Sequence, residues 1–185
     1  IRGMTEQLAK RGYVALAVDL YGKEPATTSD AATAMMKEAM GQSDVLVENL
    51  GQASAFLAER SSGKRGVIGW CFGGAWSLQA SLAMPEALDA VVVYYGRLIT
   101  DEAKLSALDD PLLGIFGAQD EGIPVESVRT FEATLEKLGK DATIHVYDGA
   151  SHAFANPSGS AYNQQAAEDA WAKTTAFLDT HLKGD

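Results

Sequence analysis

The sequence predicts an α/β fold, a mostly parallel sheet with helices on both faces, and three observations carry that expectation. Short apolar runs of strand length alternate along the chain with longer segments whose apolar residues recur at helical spacing. The strand-length runs are almost unbroken, which suits strands covered on both faces rather than one. The chain has 185 residues, 46% of them hydrophobic and 22% charged, a composition far from that of a disordered segment. A chain of this size buries roughly 70% of its unfolded surface, enough for one core. A single domain over residues 1–185 is therefore expected, with no repeat, low-complexity tract or linker to divide it.

Taken in order, Ile1, Met4 and Leu8 fall at helical spacing and Gly12 stands just past them as a stop, so the chain opens on an amphipathic helix. No Ser, Thr, Asp or Asn precedes that helix to bind its free amides, so the chain is expected to be N-terminally truncated. Residues 13–18, Tyr-Val-Ala-Leu-Ala-Val, read as a first strand, followed by Asp19-Leu20-Tyr21-Gly22 and a polar loop over 23–30. Residues 31–40 read as a short helix. Ser43 or Asp44 is expected to cap the next one, striped by Leu46, Leu50, Ala53 and Leu57 and stopped by Ser61-Ser62-Gly63. Residues 67–70 form a buried strand, 73–84 a helix ended by Pro85, 90–95 a strand, and 112–116 another after a loop over 96–110. Val128, Phe131, Leu135 and Leu138 stripe a helix that ends at Gly139, and residues 143–147 make a fifth strand. Ala167, Trp171, Thr174, Leu178 and Leu182 stripe a last helix.

Several classes of function are disfavoured at once. The formal net charge of −10 repels phosphate backbones, so nucleic acid is not an expected partner. No apolar run approaches the roughly 20 residues that span a bilayer, and no secretory signal opens the chain, so a soluble, cytoplasmic protein without a membrane partner is expected. Cys71 is the sole cysteine, which excludes an internal disulfide and any cysteine-rich metal site.

The chemistry gathers at Gly66-Val67-Ile68-Gly69-Trp70-Cys71-Phe72-Gly73-Gly74-Ala75, where a strand runs through G-x-C-x-G-G straight into a helix. This is the pattern of a nucleophile elbow. The residue at its apex needs a strained backbone, and small residues two before and two after, Gly69 and Gly73, let strand and helix approach. A helix N-terminus beneath Cys71 favours its thiolate. The bland alternative is a buried cysteine in a turn whose glycines serve packing alone.

A thiol that attacks a carbonyl needs a base and the base needs an orienting acid, and in an open α/β sheet these converge at the carboxyl ends of different strands. Asp120 follows the strand at 112–116 and His152 follows the strand at 143–147. Their order, Cys71, Asp120, His152, is that of nucleophile, acid and histidine in α/β-hydrolases. Glu121 competes with Asp120 for the acid's role. His145 lies inside a strand and His181 near the end of the chain, so both read as structural or solvated.

With these residues in view the chain resembles the dienelactone hydrolase family of α/β-hydrolases over essentially its whole length. The cysteine elbow carries the resemblance together with Gly12-Tyr13-Val14-Ala15-Leu16, Asp19-Leu20-Tyr21-Gly22, Tyr94-Tyr95-Gly96, Gly117-Ala118-Gln119-Asp120 with Ile123-Pro124, and Ser151-His152-Ala153-Phe154, in that order. The resemblance implies an α/β-hydrolase-like three-layer sandwich. It implies that Cys71 attacks an ester or lactone carbonyl, His152 passes protons, Asp120 orients His152, and water releases the acyl group from sulfur. No metal or organic cofactor is implied.

The backbone amide of Phe72, the residue after the nucleophile, is the expected oxyanion donor. Tyr95, with Trp70, Phe72, Phe154 and Tyr21, is expected either to wall an apolar substrate pocket around Cys71 or to serve as ordinary core beside the strand ends. Lys23 and Asn156 fall at positions where the family holds a substrate carboxylate with two arginines, so one cation is kept and one is lost. Strands and an oxyanion loop that family members carry upstream of Ile1 have no counterpart in this sequence. One of those strands normally lies between residues 13–18 and 67–70, so either a rearranged sheet or a homodimer that exchanges segments through the exposed edge is expected. Two other functions are compatible with the elbow: a redox thiol, which lacks a resolving cysteine, and a binding module or impaired fragment of the same fold.

Overall fold

Four parallel strands form one sheet in the order β1-β2-β3-β4, in a computed structural model that describes residues 1–184. The chain gathers into two units, Ile1–Gly63 and Lys64–Asp185.

The first unit is helical. It contains α1 (Arg2–Lys10), α2 (Ser29–Met40) and α3 (Ser43–Ala58). Leu8, Ala39, Leu46 and Leu50 are its buried apolar residues, whereas Ile1 precedes α1 and is 69% exposed, so it is not part of the expected stripe. Thr28 caps α2, its side-chain oxygen accepting from the Ala31 amide. Neither Ser43 nor Asp44 caps α3: Gln42 takes that position with no side-chain bond, and Asp44 lies in the first turn, where its charge suits the helix dipole.

The expected strand over residues 13–18 is a correction. Those residues join no ladder among the described residues, and Val14 and Leu16 are exposed. Apolar content and β propensity make a run suitable for a sheet, but a strand exists only where a neighbouring backbone takes its hydrogen bonds.

The second unit holds β1 (Gly66–Trp70), α4 (Phe72–Ala83), β2 (Ala90–Tyr94), α5 (Glu102–Leu105), β3 (Leu112–Gly117), α6 (Val125–Lys137), β4 (Ala142–Tyr147) and α7 (Gln164–Lys183). The short α5, capped by Asp101, lies in what the sequence presents as a loop. The sheet is in register throughout, with Gly69 beside Val93, Val93 beside Gly114 and Gly114 beside Ile144. Every residue of β2 and β3 is buried, as the unbroken apolar runs require of central parallel strands.

Alternate residues serve opposite faces. Val91, Val93, Leu112 and Phe116 meet Leu78 of α4 and Val128, Phe131 and Leu135 of α6 in one core. On the other face Tyr94 reaches α7, its hydroxyl 2.6 Å from that of Thr174. Helices thus cover both faces, as expected; in α7 Thr174 and Leu178 of the expected stripe are buried, whereas Ala166 and Ala170 are buried at its start where Ala167 and Trp171 are only partly so. Because all four strands run the same way, their carboxyl ends share one edge, and the turns that follow β1, β3 and β4 carry the chemistry.

Candidate functional site

Cys71 is the link between β1 and α4. Its backbone sits at φ +55° and ψ −116°, outside the regions that L residues favour, and is held there by its neighbours. Its amide donates to the Tyr94 carbonyl at 3.0 Å and its carbonyl accepts from the Ala75 amide at 3.1 Å. A Cβ on Gly69 would lie 2.0 Å from the Gly73 carbonyl oxygen, so strand and helix touch where only glycine fits. Gly73 itself faces open space, contrary to the expectation that both flanking glycines are needed for clearance. The second tight position is Gly74, where a Cβ would lie 2.6 Å from the Tyr94 carbonyl oxygen.

The structure brings Cys71, His152 and Asp120 together. The Sγ of Cys71 stands 3.1 Å from Nε2 of His152, and Nδ1 of His152 is 2.7 Å from Oδ2 of Asp120. The other Asp120 oxygen accepts from the amides of Gly122 and Ile123, both at 2.9 Å, so the carboxylate is fixed and its carboxyl side chain almost wholly buried. Glu121 is exposed and takes no part in this chain of bonds.

Electrostatics follow from the contacts. The hydrogen bond from His152 lowers the Cys71 thiol below its ordinary value, burial opposes the shift, and the charge of His152 and the Phe72 amide assist it. The same bond to Cys71, assisted by Asp120 against burial, raises His152 to about 9. Each shift favours the charged form of its group, so the contact pulls the pair toward thiolate and imidazolium. The imidazole is 40% exposed, so the pair opens to solvent on one side.

The other expected residues lie as follows. The Phe72 amide, at the start of α4, hydrogen-bonds toward the Cys71 sulfur. Tyr95 is 2% exposed, with its ring against those of His152 and Phe154. Asn156 is exposed in the loop after His152, where its side-chain oxygen accepts from the Ser158 amide at 3.1 Å. Lys23 lies in the first unit, its Nζ 2.6 Å from both carboxylate oxygens of Glu38, so its charge is already matched. An open cleft of about 280 Å³ in that unit is lined by Tyr21, Lys23, Met35, Glu38 and Asn49 among others. His145 lies within β4, and His181 packs on the Phe177 ring.

Glu38, Gly74 and the left-handed Ala153 escaped the sequence reading. The doubled Gly73-Gly74 and the Tyr94-Tyr95-Gly96 string were the available signals for the close approach at Gly74. Among the described residues no group of three His, Cys, Asp or Glu side chains is placed to hold a metal ion, and no helix is long and apolar enough to cross a membrane.

A parallel sheet flanked by helices, with a cysteine at its strand-to-helix turn and an acid and a histidine on later turns of the same edge, is an α/β fold of the hydrolase type. The chain belongs to the dienelactone hydrolase family, whose model matches residues 1–182. It is 33% identical over 189 residues to an Escherichia coli (strain K12) protein that bears the provisional name carboxymethylenebutenolidase, covering 94% of this chain and 69% of that protein. To "Protein usf" of Aquifex pyrophilus it is 30% identical over 187 residues, covering 98% of this chain and 81% of that one. A crystal structure provisionally described as a dienelactone hydrolase, from Klebsiella pneumoniae, superposes with a TM-score of 0.86 at 27% identity, covering 96% of this chain and 79% of that one.

Proposed function

We propose that the chain hydrolyses small esters or lactones through a thioester on Cys71. The observation that carries this reading is the unbroken line of contacts from Sγ through the imidazole to a buried, doubly anchored carboxylate. In the proposed sequence the Cys71 thiolate attacks the carbonyl carbon, and the oxygen that gains charge takes a hydrogen bond from the Phe72 amide. The carbon–oxygen bond to the leaving group then breaks, and Nε2 of the His152 imidazolium gives that alkoxide its proton. The acyl group is left on sulfur. Neutral His152 next takes a proton from water as the water attacks the thioester, the carbon–sulfur bond breaks, and thiolate and imidazolium are restored with release of the acid.

The name carried by several relatives denotes action on a carboxymethylene-bearing lactone. In this chain Asn156 is uncharged and Lys23 is neutralised by Glu38, so uncharged small esters are included in the proposed substrate class on the same footing.

The test is intact mass spectrometry after brief exposure to p-nitrophenyl acetate, with nitrophenol release followed in parallel and Cys71→Ala as control. An acetyl adduct that forms and decays in the parent chain and is absent from the control is expected. Asp120→Asn should lower turnover by about 10²- to 10⁴-fold. The rate should rise as pH climbs through the lowered Cys71 value and fall as it passes about 9, where His152 loses the proton it must donate. Nitrophenol release that Cys71→Ala leaves intact would sink the reading.

A further inference from the structure

The loop that carries His152 is contacted by a side chain that stands just past the end of β2. Residues 151–156 join no ladder, and the backbone passes through a left-handed conformation at Ala153, φ +63°, with no glycine to relieve it. Asp120 anchors the imidazole at a single atom, Nδ1. That bond fixes the imidazole at one point, and beyond it the Asn163 amide holds the loop backbone at the Phe154 carbonyl, at 2.9 Å.

Tyr95 supplies what Asp120 does not. Its ring meets the His152 ring edge-on with centroids 5.3 Å apart, and meets Phe154 in the same way at 5.5 Å. Its hydroxyl accepts a hydrogen bond from the backbone amide of Ala155. One side chain therefore touches the loop at residues 152, 154 and 155. Tyr95 is itself rigid: it is 2% exposed, its backbone sits at φ +34°, and its amide donates to the Ile115 carbonyl at 2.7 Å, which ties it to β3. Phe154, wholly buried, is packed between Tyr95 and Tyr147. A residue strained in its own backbone and bonded at both ends is suited to fixing a neighbour.

We propose that Tyr95 is a positioning residue that clamps the His152 loop through its ring and its hydroxyl, and so holds the imidazole at its contact distance from the Cys71 sulfur. This rests on the triad read above. Loosening the clamp lengthens the Sγ to Nε2 contact on average, which takes from the thiolate the bond that favours it.

Tyr95→Phe deletes the hydroxyl and keeps the ring. Thr174→Val serves as control, because it removes the partner of the adjacent buried phenol, Tyr94, on the α7 side of the sheet. Two readouts are made on the full chain: hydrogen exchange at the Ala155 amide, and pH titration of the ultraviolet thiolate band, which only Cys71 can supply on the acid side. In Tyr95→Phe the Ala155 amide should exchange at least about fivefold faster and the thiolate midpoint should rise by roughly half to one pH unit. Turnover should fall about three- to tenfold with KM nearly unchanged, since a misplaced base is felt in the chemical step. Thr174→Val should move neither readout. A thiolate midpoint in Tyr95→Phe that overlays the parent, or one that Thr174→Val shifts equally, overturns the proposal. A parent band that titrates at the ordinary thiol value sinks the triad reading instead, and the clamp is then judged by Ala155 exchange alone, failing if Tyr95→Phe does not quicken it.

Discussion

Two apolar runs of the chain meet opposite fates. In the second unit Val91, Val92 and Val93 of β2 are 0% exposed, flanked by β1 on one side and β3 on the other. In the first unit the run at residues 13–18 joins no ladder among the described residues, and its Val14 and Leu16 are 54% and 40% exposed. Composition does not separate them. What differs is the presence of backbone on both flanks: β2 has every amide and carbonyl direction taken by a neighbour, and the helices can then close over a surface with no free polar groups. The second unit therefore supplies the rigid edge on which Cys71, Asp120 and His152 stand, and the first unit, among the described residues, contributes no strand to the sheet.

The largest test of that contrast is steric. Gly69→Ala in the second unit would drive a Cβ to 2.0 Å from the Gly73 carbonyl oxygen and 2.6 Å from Ser77 Oγ, so the elbow must open or the helix must move. A loss of more than about 4 kcal/mol, enough to unfold the unit, is expected. Gly3→Ala in α1 places its Cβ in open space and should stabilise that helix by up to about 1 kcal/mol. Trp70, Trp76 and Trp171 all lie in the second unit, so their fluorescence during urea unfolding reads Gly69→Ala directly. Equal, small effects from both substitutions would erase the distinction between the units.

Hydrogen exchange sharpens the same point without mutation. Amides of Val91, Val92 and Val93 should open only with global unfolding, while those of Val14, Ala15 and Leu16 should exchange through local opening, a gap of at least about a thousandfold. Comparable protection at the two runs would mean that residues 13–18 are paired after all.

What could be read in advance follows the same line. The strands at β1 to β4 and the order Cys71, Asp120, His152 were legible because a parallel sheet imposes one direction, so the turns after β1, β3 and β4 have to share an edge. Residues 13–18 misled because their pattern records suitability for a sheet and carries no information about a partner. The Lys23–Glu38 pair was illegible for a related reason: the two residues are 15 apart across a loop whose path no local pattern sets. Tyr95 was visible as an aromatic next to the elbow, but its left-handed backbone and its bond to Ala155 are consequences of three-dimensional closure.

Polar pairs extend the contrast to smaller energies. In the second unit Asp110 is 4% exposed and accepts a hydrogen bond from Ser81 at 2.5 Å, and burial raises its carboxyl to about 6. Because the folded value lies above the unfolded one, the native state binds the extra proton between roughly pH 4 and 6, and this group makes stability fall as pH rises through that window. Asp110→Asn, which keeps an acceptor for Ser81, should abolish that slope and raise stability at pH 7 by at most about 3 kcal/mol, read from urea midpoints by tryptophan fluorescence. A parent chain whose midpoint is flat between pH 4 and 6 would remove the buried carboxyl from the account.

The Lys23–Glu38 pair of the first unit should respond least. Its two side chains are 50% and 53% exposed, so water screens their attraction and both lose rotamer freedom to make it. Glu38→Gln should cost less than about 1 kcal/mol, and that cost should shrink further in salt near 0.5 M, where the screening length falls to about 4 Å. No tryptophan reports on this unit, so exchange of the α2 amides at low and high salt is the appropriate measurement. A cost that exceeds the Asp110 effect and survives salt would show that Lys23 and Glu38 sit in a drier, more ordered setting than their exposure implies, and the ranking of the two units would have to be reversed at this site.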